Sequence, residues 1–174
     1  MGLTESEQEA INSSSAHPAG NPLNLRSWNR PPSKVADRLW IGNLYDSFNH
    51  VLMTKLRIGA VVNVMGSMFN LGIVQGLDPQ PVCCVPEGIG YACFKTLQPF
   101  GQTIGQAKAA IEAIKFYRDQ IGVNVLVHCG EGIDRAPTIV CKYMVETQNI
   151  TWEVAEKMIK DARPIAVPHQ SWWN

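Results

Sequence analysis

One cysteine of the sequence stands where a nucleophile could work. Cys129 directly follows an apolar segment, and Arg135 lies six positions after it. The five residues between them are enough to curl around one tetrahedral oxyanion, and Gly130 and Gly132 would allow positive φ angles there. Successive backbone N–H groups could then point inward as an anion-binding nest. The pattern predicts a loop that binds a phosphoryl group.

The same loop would activate the cysteine. Its N–H groups, and the positive end of a helix that begins near Ala136, would stabilise the thiolate of Cys129, which is the nucleophilic form. Arg135 would add a bidentate clamp that strengthens as charge spreads in the transition state. His128 is predicted to support the loop backbone, and Pro137 fits the first turn of a helix because its missing N–H needs no partner there. The predicted phosphate-binding residues are Gly130, Glu131, Gly132, Ile133, Asp134 and Arg135.

Two other interpretations of this segment are available. A buried cysteine at the end of a strand is often only a small apolar residue. A glycine-rich turn after a strand also occurs in nucleotide-binding proteins, but neither G-x-x-x-x-G-K-[ST] nor G-x-G-x-x-G is present. The combination of apolar strand, His-Cys, two glycines, arginine and helix start favours the phosphate-binding cysteine loop.

The elements around this loop predict an α/β protein. The apolar run Val123–Val127 is typical of a strand buried at the centre of a sheet, and ligands of open α/β sheets bind at the carboxyl ends of such strands. Alternation of strands and helices predicts a central, mostly parallel sheet flanked by helices. The predicted strands are 39–41, 60–64, 91–97 and 123–127, and the predicted helices are 46–58, 102–120, 136–147 and one with Thr151 as its N-cap.

Apolar spacing predicts which helix faces are buried. In the helix over 46–58 the inward residues would be Val51, Leu52 and Leu56, with Gly59 as its end. The helix over 102–120 would bury Ile104, Ala107, Ile111 and Ile114 and end at Gly122. The last helix would bury Val154, Ala155, Met158 and Ile159 and stop before Pro164.

The N-terminal segment differs from the rest in composition. Residues 1–33 are rich in Ser and Pro and hold few large apolar residues, which predicts a disordered or loosely docked tail before a catalytic domain over 34–174. The start, Met1 to Ser6, fits the pattern for N-myristoylation of Gly2, which would give a membrane contact. A chance match is the alternative, because acidic residues follow in place of the basic cluster that a second membrane signal would need.

Composition excludes several classes. The 174 residues carry a formal net charge of zero, so the basic excess of a nucleic-acid binder is missing. We find no apolar run of membrane-spanning length and no signal peptide in residues 1–30. Five cysteines without a C-x-x-C pair argue against structural zinc and favour a reducing, cytoplasmic setting.

Beyond the loop, the sequence resembles the dual-specificity phosphatase family from Asp37 to its end. The motif H-C-x-x-G-x-x-R occupies 128–135, the segments 37–43 and 60–64 resemble the family's first strands, and 163–168 resembles its R-P-x-x-x-P stretch. His169 stands where the family commonly has Asn. The resemblance implies a two-step reaction through a cysteinyl-phosphate, with no metal or organic cofactor.

Two departures affect the chemistry that the resemblance implies. The family usually supplies an Asp general acid about thirty residues before the nucleophile, but the segment 95–102 contains no carboxylate. The hydroxyl residue that usually follows the loop arginine is Ala136 here. Asp134 resembles the loop aspartate of myotubularins and Sac-type phosphatases, the proposed general acid in those families. The alternative is that Asp134 only pairs with Arg135 or accepts loop N–H bonds.

Three functions remain open at this stage. The first is a phosphatase for phosphotyrosine, phosphoserine or phosphothreonine in proteins; the second is a phosphoinositide phosphatase; the third is a weakly catalytic phosphate-binding module. Glu131 and the absence of lysine in the loop argue against a multiply charged head group. Cys83, Cys84 or Cys93 could form a protective disulfide with Cys129, or could be simple thiols. The oligomeric state is not predicted.

Overall fold

The computed structural model describes residues 2–13, 27, 29–66 and 88–174. Within these ranges the strands are β1 (Ser33–Ala36), β2 (Leu39–Gly42), β3 (Ile58–Asn63), β4 (Gly90–Cys93) and β5 (Asn124–His128). The α-helices of the same ranges are α1 (Glu5–Ser13), α2 (His50–Lys55), α3 (Ile104–Ile114), α4 (Arg135–Gln148) and α5 (Trp152–Ala162).

The strands form one sheet in the order β1-β2-β5-β3-β4. β2 and β3 both pair parallel with β5, and β4 pairs parallel with β3. Among the described strands only β1 pairs antiparallel, with β2 at the edge of the sheet. The predicted α/β class and the mostly parallel sheet are therefore confirmed. Because β5 is the central strand, the residue that follows it lies at the middle of the sheet's carboxyl edge.

The apolar character of β5 follows from its burial on both faces. Successive side chains of a strand point to opposite sides. Val125 and Val127 pack into a core beneath α3, α4 and α5, while Leu126 packs into a second core with Trp40 and Leu52. Both faces of the strand are buried, so it needs apolar residues at consecutive positions, and Val125, Leu126 and Val127 supply them.

The N-terminal segment differs from the expectation of disorder over residues 5–13. These residues form α1, whose Ala10 is 4% exposed and belongs to the core under Trp40 and Leu52. Glu7 also pairs with Lys34 of β1 at 2.8 Å, a pair whose side chains are only 14% and 12% exposed. These residues therefore dock on the core through Ala10, with Ile11 packed beside it, and the disorder alternative of the prediction does not describe them. Residues 14–26 lie outside the described residues.

The predicted helix over 46–58 is wrong in its limits. A 3-10 turn covers Asp46–Phe48, and α2 then starts afresh because the Asn49 side chain accepts a hydrogen bond from the N–H of Leu52 at 3.0 Å. Val51 is 61% exposed, not buried. Gly59 does not end the helix but lies inside β3, where an added Cβ would come within 2.6 Å of Val123.

The later elements agree with the sequence in type and less well in limits. β4 is shorter than the predicted strand 91–97, and the helix over 102–120 divides into α3 and a π-helical segment, Lys115–Ile121, that ends at Gly122 with φ of 83°. Thr151 caps α5, as predicted. In α5, however, Val154 and Met158 are 47% and 37% exposed, and the buried residues are Trp152, Ala155 and Ile159.

The long connection before β4 lies mostly in residues 67–87, outside the described residues. None of the helices in the described ranges is long and apolar enough to cross a membrane.

Candidate active site

Cys129 lies at the carboxyl end of β5, where the sequence placed it. Its thiol is free and the residue is 3% exposed. The backbone N–H of Gly132 donates a hydrogen bond to Sγ at 3.2 Å. This donor can bind the sulfur when Cys129 acts as a thiolate, which is the nucleophilic form.

The two loop glycines have different roles. Gly132 has φ of 66°, and a Cβ there would lie 2.5 Å from the carbonyl oxygen of Gly42 and 2.8 Å from Nη2 of Arg163. Gly130 has no positive φ, and the nearest atom to its added Cβ, Nη2 of Arg135, is 4.0 Å away. The expectation that both glycines supply positive φ angles is therefore right for Gly132 and wrong for Gly130.

Arg163 holds the loop from the side of β1. The residue is 2% exposed, and its guanidinium donates to the carbonyl oxygens of Gly132 at 2.8 Å and Glu131 at 3.1 Å. It also donates to the carbonyl of Pro31 at 3.1 Å. Because these carbonyls are bound on the outside, the peptide N–H groups of the same loop are turned inward. This function of Arg163 was not predicted from the sequence, although Arg163 begins the R-P-x-x-x-P stretch.

Burial and opposite charge act against each other on Arg163. Burial lowers its pKa from the ordinary value, while the neighbouring Asp46 and Cys129 favour its charged form. A guanidinium remains charged across the physiological range. A buried positive charge near Sγ therefore adds to the stabilisation of the thiolate.

Asp46 shapes the turn after β2. Its Oδ2 accepts the N–H of Asn43 at 2.7 Å, and its own N–H donates to Oδ1 of Asn43 at 3.0 Å. Burial raises the pKa of Asp46 to about 7, and the N–H of Asn43 and the charge of Arg163 oppose that rise. Leu44, which follows Asn43 in this turn, donates its N–H to the carbonyl of Gly130 at 2.9 Å. The turn therefore also fixes the backbone of the phosphate loop at Gly130.

Arg135 lies at the first position of α4 with part of its guanidinium unused. Nη1 donates to the carbonyl of Thr96 at 3.3 Å, whereas Nε is buried and has no hydrogen-bond partner among the described residues. A buried donor without a partner is costly. An oxyanion in the loop would remove that cost, and the planar guanidinium can bind two of its oxygens at once.

His128 supports the loop as a neutral ring. It is 1% exposed, and Nδ1 donates to the carbonyl of Cys129 at 3.3 Å, because a carbonyl oxygen can only accept. Burial lowers the pKa of His128 to about 4, and the positive charge of Arg135 acts in the same direction. The imidazole therefore contributes a hydrogen bond and no charge near neutral pH.

Asp134 does not pair with Arg135 in the described part of the chain. Its Oδ1 lies 2.9 Å from Nε2 of His169, and both side chains are 31% exposed. Asp134 is also the N-cap residue of α4, but its side chain makes no capping hydrogen bond. Of the two structural alternatives weighed for this aspartate, the pair with Arg135 is wrong, and its contact with His169 was not foreseen.

The segment beside the arginine contains no acid. Thr96, whose carbonyl accepts from Arg135, is fully buried, and its hydroxyl donates to the carbonyl of Val64. Phe100 is also fully buried, between the edges of Trp172 and Trp173. The stretch from Thr96 to Phe100, which contacts Arg135 through the Thr96 carbonyl, contains no carboxylate, so it cannot supply the family's usual acid.

Cys93 and Cys141, the other cysteines among the described residues, form no disulfide with Cys129. Cys93 is free and exposed, and burial raises the pKa of Cys141 to about 12. Cys83 and Cys84 lie outside the described residues, so the disulfide alternative stays a prediction for them. Among the described residues, no group of three or more His, Cys, Asp or Glu side chains is placed to hold a metal ion.

Comparisons with known proteins agree with this geometry. Residues 39–174 match the family model described as dual specificity phosphatase, catalytic domain. Dual specificity protein phosphatase 22-A of Danio rerio is 25% identical over 139 residues, which are 79% of this chain and 59% of that protein. The curated relatives are longer, since the chain covers 12%, 59% and 67% of three of them.

Solved structures share the fold. Human DUSP28 superposes with a TM-score of 0.65 at 20% identity, over 82% of this chain and 88% of that one. The human tyrosine phosphatase-like serine/threonine/tyrosine-interacting protein gives 0.65 at 18% identity, over 83% and 91%. The family match spans strands, phosphate loop and C-terminal helices together, and the chain belongs to the dual specificity phosphatase family.

Proposed function

We propose that this protein hydrolyses phosphomonoesters on proteins, phosphotyrosine and phosphoserine or phosphothreonine among them, through a cysteinyl-phosphate on Cys129. The observation that carries the proposal is the pairing of two features in one loop. The N–H of Gly132 donates to Sγ of Cys129, and Arg135 keeps a buried Nε without a partner in the described residues. The hydrogen bond to Sγ orients Cys129 as a nucleophile, and the Nε of Arg135 is a donor that a phosphoryl oxygen can accept.

The proposed reaction has two displacements. In the first, Sγ attacks phosphorus, the S–P bond forms, and the bond from phosphorus to the leaving oxygen breaks as that oxygen takes a proton from Asp134. In the second, water attacks phosphorus, the S–P bond breaks, and the Asp134 carboxylate accepts a proton from the water. Inorganic phosphate leaves and the thiolate is restored. The loop N–H groups and Arg135 bind the phosphoryl oxygens in both steps.

A substrate panel tests this function. Phosphotyrosine, phosphoserine and phosphothreonine peptides are compared with phosphoinositides, using wild type and Cys129→Ser. We expect turnover of phosphopeptides that disappears in Cys129→Ser, while vanadate binding persists because the loop donors remain. Activity retained in Cys129→Ser would contradict the mechanism, and turnover of phosphoinositides alone would contradict the substrate class.

Arg135 is tested by a substitution that keeps its charge. Arg135→Lys retains a cation but loses the planar pair of donors, so kcat/KM should fall severely. A value near that of wild type would mean that the arginine serves only the carbonyl of Thr96.

Asp134 is proposed as the general acid because the usual segment has none. A positioned acid contributes roughly 10²–10⁴-fold when the leaving oxygen holds its proton tightly. Asp134→Asn should therefore reduce turnover of phosphotyrosine or alkyl phosphates strongly and that of nitrophenyl phosphate little. An equal loss on both substrates would indicate damage to the loop, and no loss on either would contradict the role.

We further propose a cytoplasmic protein whose Gly2 is myristoylated. Gly2 is exposed ahead of α1, and the sequence from Met1 to Ser6 fits the acyltransferase pattern. One acyl chain gives only marginal attachment, so a divided distribution is expected. Gly2→Ala should release the membrane fraction; mass spectrometry that finds an unmodified glycine would contradict this.

A further inference from the structure

The side chain of Asp134 does not make the capping hydrogen bond that is typical of an aspartate at a helix N-cap. An aspartate at the N-cap usually accepts an N–H of the first helical turn, which contributes about 1 kcal/mol. Here no such bond is made, and Oδ1 instead lies 2.9 Å from Nε2 of His169. The two residues are 35 positions apart, so the contact depends on the tertiary fold.

His169 is itself held firmly. Its backbone N–H donates to the hydroxyl of Thr138 in α4 at 3.0 Å. Its ring stacks on Trp172, with centroids 4.2 Å apart and planes at 13°. Trp172 and Trp173 in turn meet the buried Phe100 edge-on at 5.4 and 4.9 Å. The imidazole is therefore oriented before any substrate arrives.

The contact with His169 occupies Oδ1 of Asp134 and leaves Oδ2 available for proton transfer. With Nε2 bound to Oδ1, rotation of Asp134 toward Arg135 or toward the N–H groups of α4 would break the contact with His169. Oδ2 makes no hydrogen bond among the described residues. Both side chains are about one third exposed, so a substrate at the rim of the loop could reach the free oxygen.

We propose that His169 is the positioning residue of Asp134. Its Nε2–H donates to Oδ1, fixes the carboxyl group so that Oδ2 faces the leaving oxygen, and stabilises the carboxylate that remains after the proton has been transferred. The inference rests on the proposed function, because it assigns His169 a role only through a general acid. It also accounts for a histidine at the place where the family commonly has Asn.

The test measures leaving-group dependence in a double-mutant cycle. kcat/KM is determined for a phosphotyrosine peptide and for nitrophenyl phosphate in wild type, His169→Ala, Asp134→Asn and the double variant. His169→Gln, whose amide can donate from a similar position, is the rescue variant. Gln170→Ala, at an exposed neighbouring position, is the control.

We expect His169→Ala to lose roughly 10- to 100-fold on the phosphotyrosine peptide, part of the roughly 10²–10⁴-fold that a positioned acid supplies. The loss on nitrophenyl phosphate should be small, and His169→Gln should recover part of the activity. In the Asp134→Asn background the substitution of His169 should have no further effect, because the group it positions is gone. Vanadate affinity should not change in His169→Ala or His169→Gln, because the loop donors remain.

Several results would overturn the inference. Equal loss of activity on both substrates in His169→Ala would show a structural role, and so would an effect of His169→Ala that multiplies with that of Asp134→Asn. Wild-type activity in both His169→Ala and His169→Gln would also refute it. If His169→Ala fails to fold, the comparison of His169→Gln with wild type on the two substrates decides. If wild type turns over no phosphopeptide, or no more than Cys129→Ser does, the proposed function itself is refuted, and with it this inference.

Discussion

Replacing Gly132 by alanine should damage the loop far more than the same change at Gly130. At Gly132 the new Cβ would lie 2.5 Å from the carbonyl oxygen of Gly42 and 2.8 Å from Nη2 of Arg163. The first is backbone of β2. The second belongs to a buried guanidinium that cannot move without releasing the carbonyls of Glu131 and Gly132. At Gly130 the nearest atom is 4.0 Å away.

The expected magnitude follows from two costs. An L-residue at the positive φ of Gly132 costs about 1–2 kcal/mol, and an overpacked buried site typically costs about 1–3 kcal/mol. Gly132→Ala should therefore lower the free energy of unfolding by roughly 2–5 kcal/mol. Gly130→Ala meets neither cost. Because alanine has fewer conformations than glycine in the unfolded chain, this substitution should leave the free energy of unfolding unchanged or raise it by roughly 0.4–1 kcal/mol.

Urea denaturation measures the stability of both variants, and vanadate titration measures the loop. We expect Gly132→Ala to lose both stability and vanadate affinity, because the N–H on Sγ moves with the residue. Gly130→Ala should keep both. Equal effects in the two variants, or a fully functional Gly132→Ala, would refute the reasoning from loop geometry.

The remaining predictions concern charge and docking. Burial lowers the pKa of His128 to about 4, so the free energy of unfolding should fall as the pH falls from about 6.5 toward 4. Burial raises the pKa of Asp46 to about 7, so Asp46 makes the free energy of unfolding fall as the pH rises toward 7. Asp46→Asn should thus make unfolding free energy rise more steeply between pH 4.5 and 6.5, by up to about 1.4 kcal/mol per pH unit, and equal slopes in urea titrations would contradict this. Ala10→Glu should undock α1 and lower stability by about 1–3 kcal/mol. Glu9→Ala, exposed on the same helix, is the control, and comparable melting of the two variants would count against the docking.

The phosphate loop could be predicted because its determinants are contiguous. An apolar strand, a cysteine, glycines, an arginine and a helix start follow one another over 123–138, and each has a local physical meaning. The positions of Cys129 in the sheet and of Gly132 at positive φ agree with that pattern. Their catalytic roles stay predictions.

The contacts that hold the loop could not be predicted in the same way. Arg163 and His169 reach it from 31 and 35 residues away, through the packing of α5 and the C-terminal turn. Nothing local in their neighbourhoods specifies a partner. The docking of α1 was also hard to predict, because the helix is mostly polar and only Ala10 and Ile11 pack on the core. In α5 the buried stripe runs through Trp152, and the adjacent apolar stripe faces outward.

The most direct test of the account is to trap the phosphorylated enzyme. A phosphotyrosine peptide is mixed with the protein, the reaction is quenched in acid within one turnover, and peptides are analysed by mass spectrometry. Ala136 offers no hydroxyl to the departing thiolate, so the intermediate should persist long enough to be collected. The account predicts a phosphoryl group on Cys129 and none in Cys129→Ser. Release of phosphate without any adduct on Cys129, or at the same rate in Cys129→Ser, would contradict it.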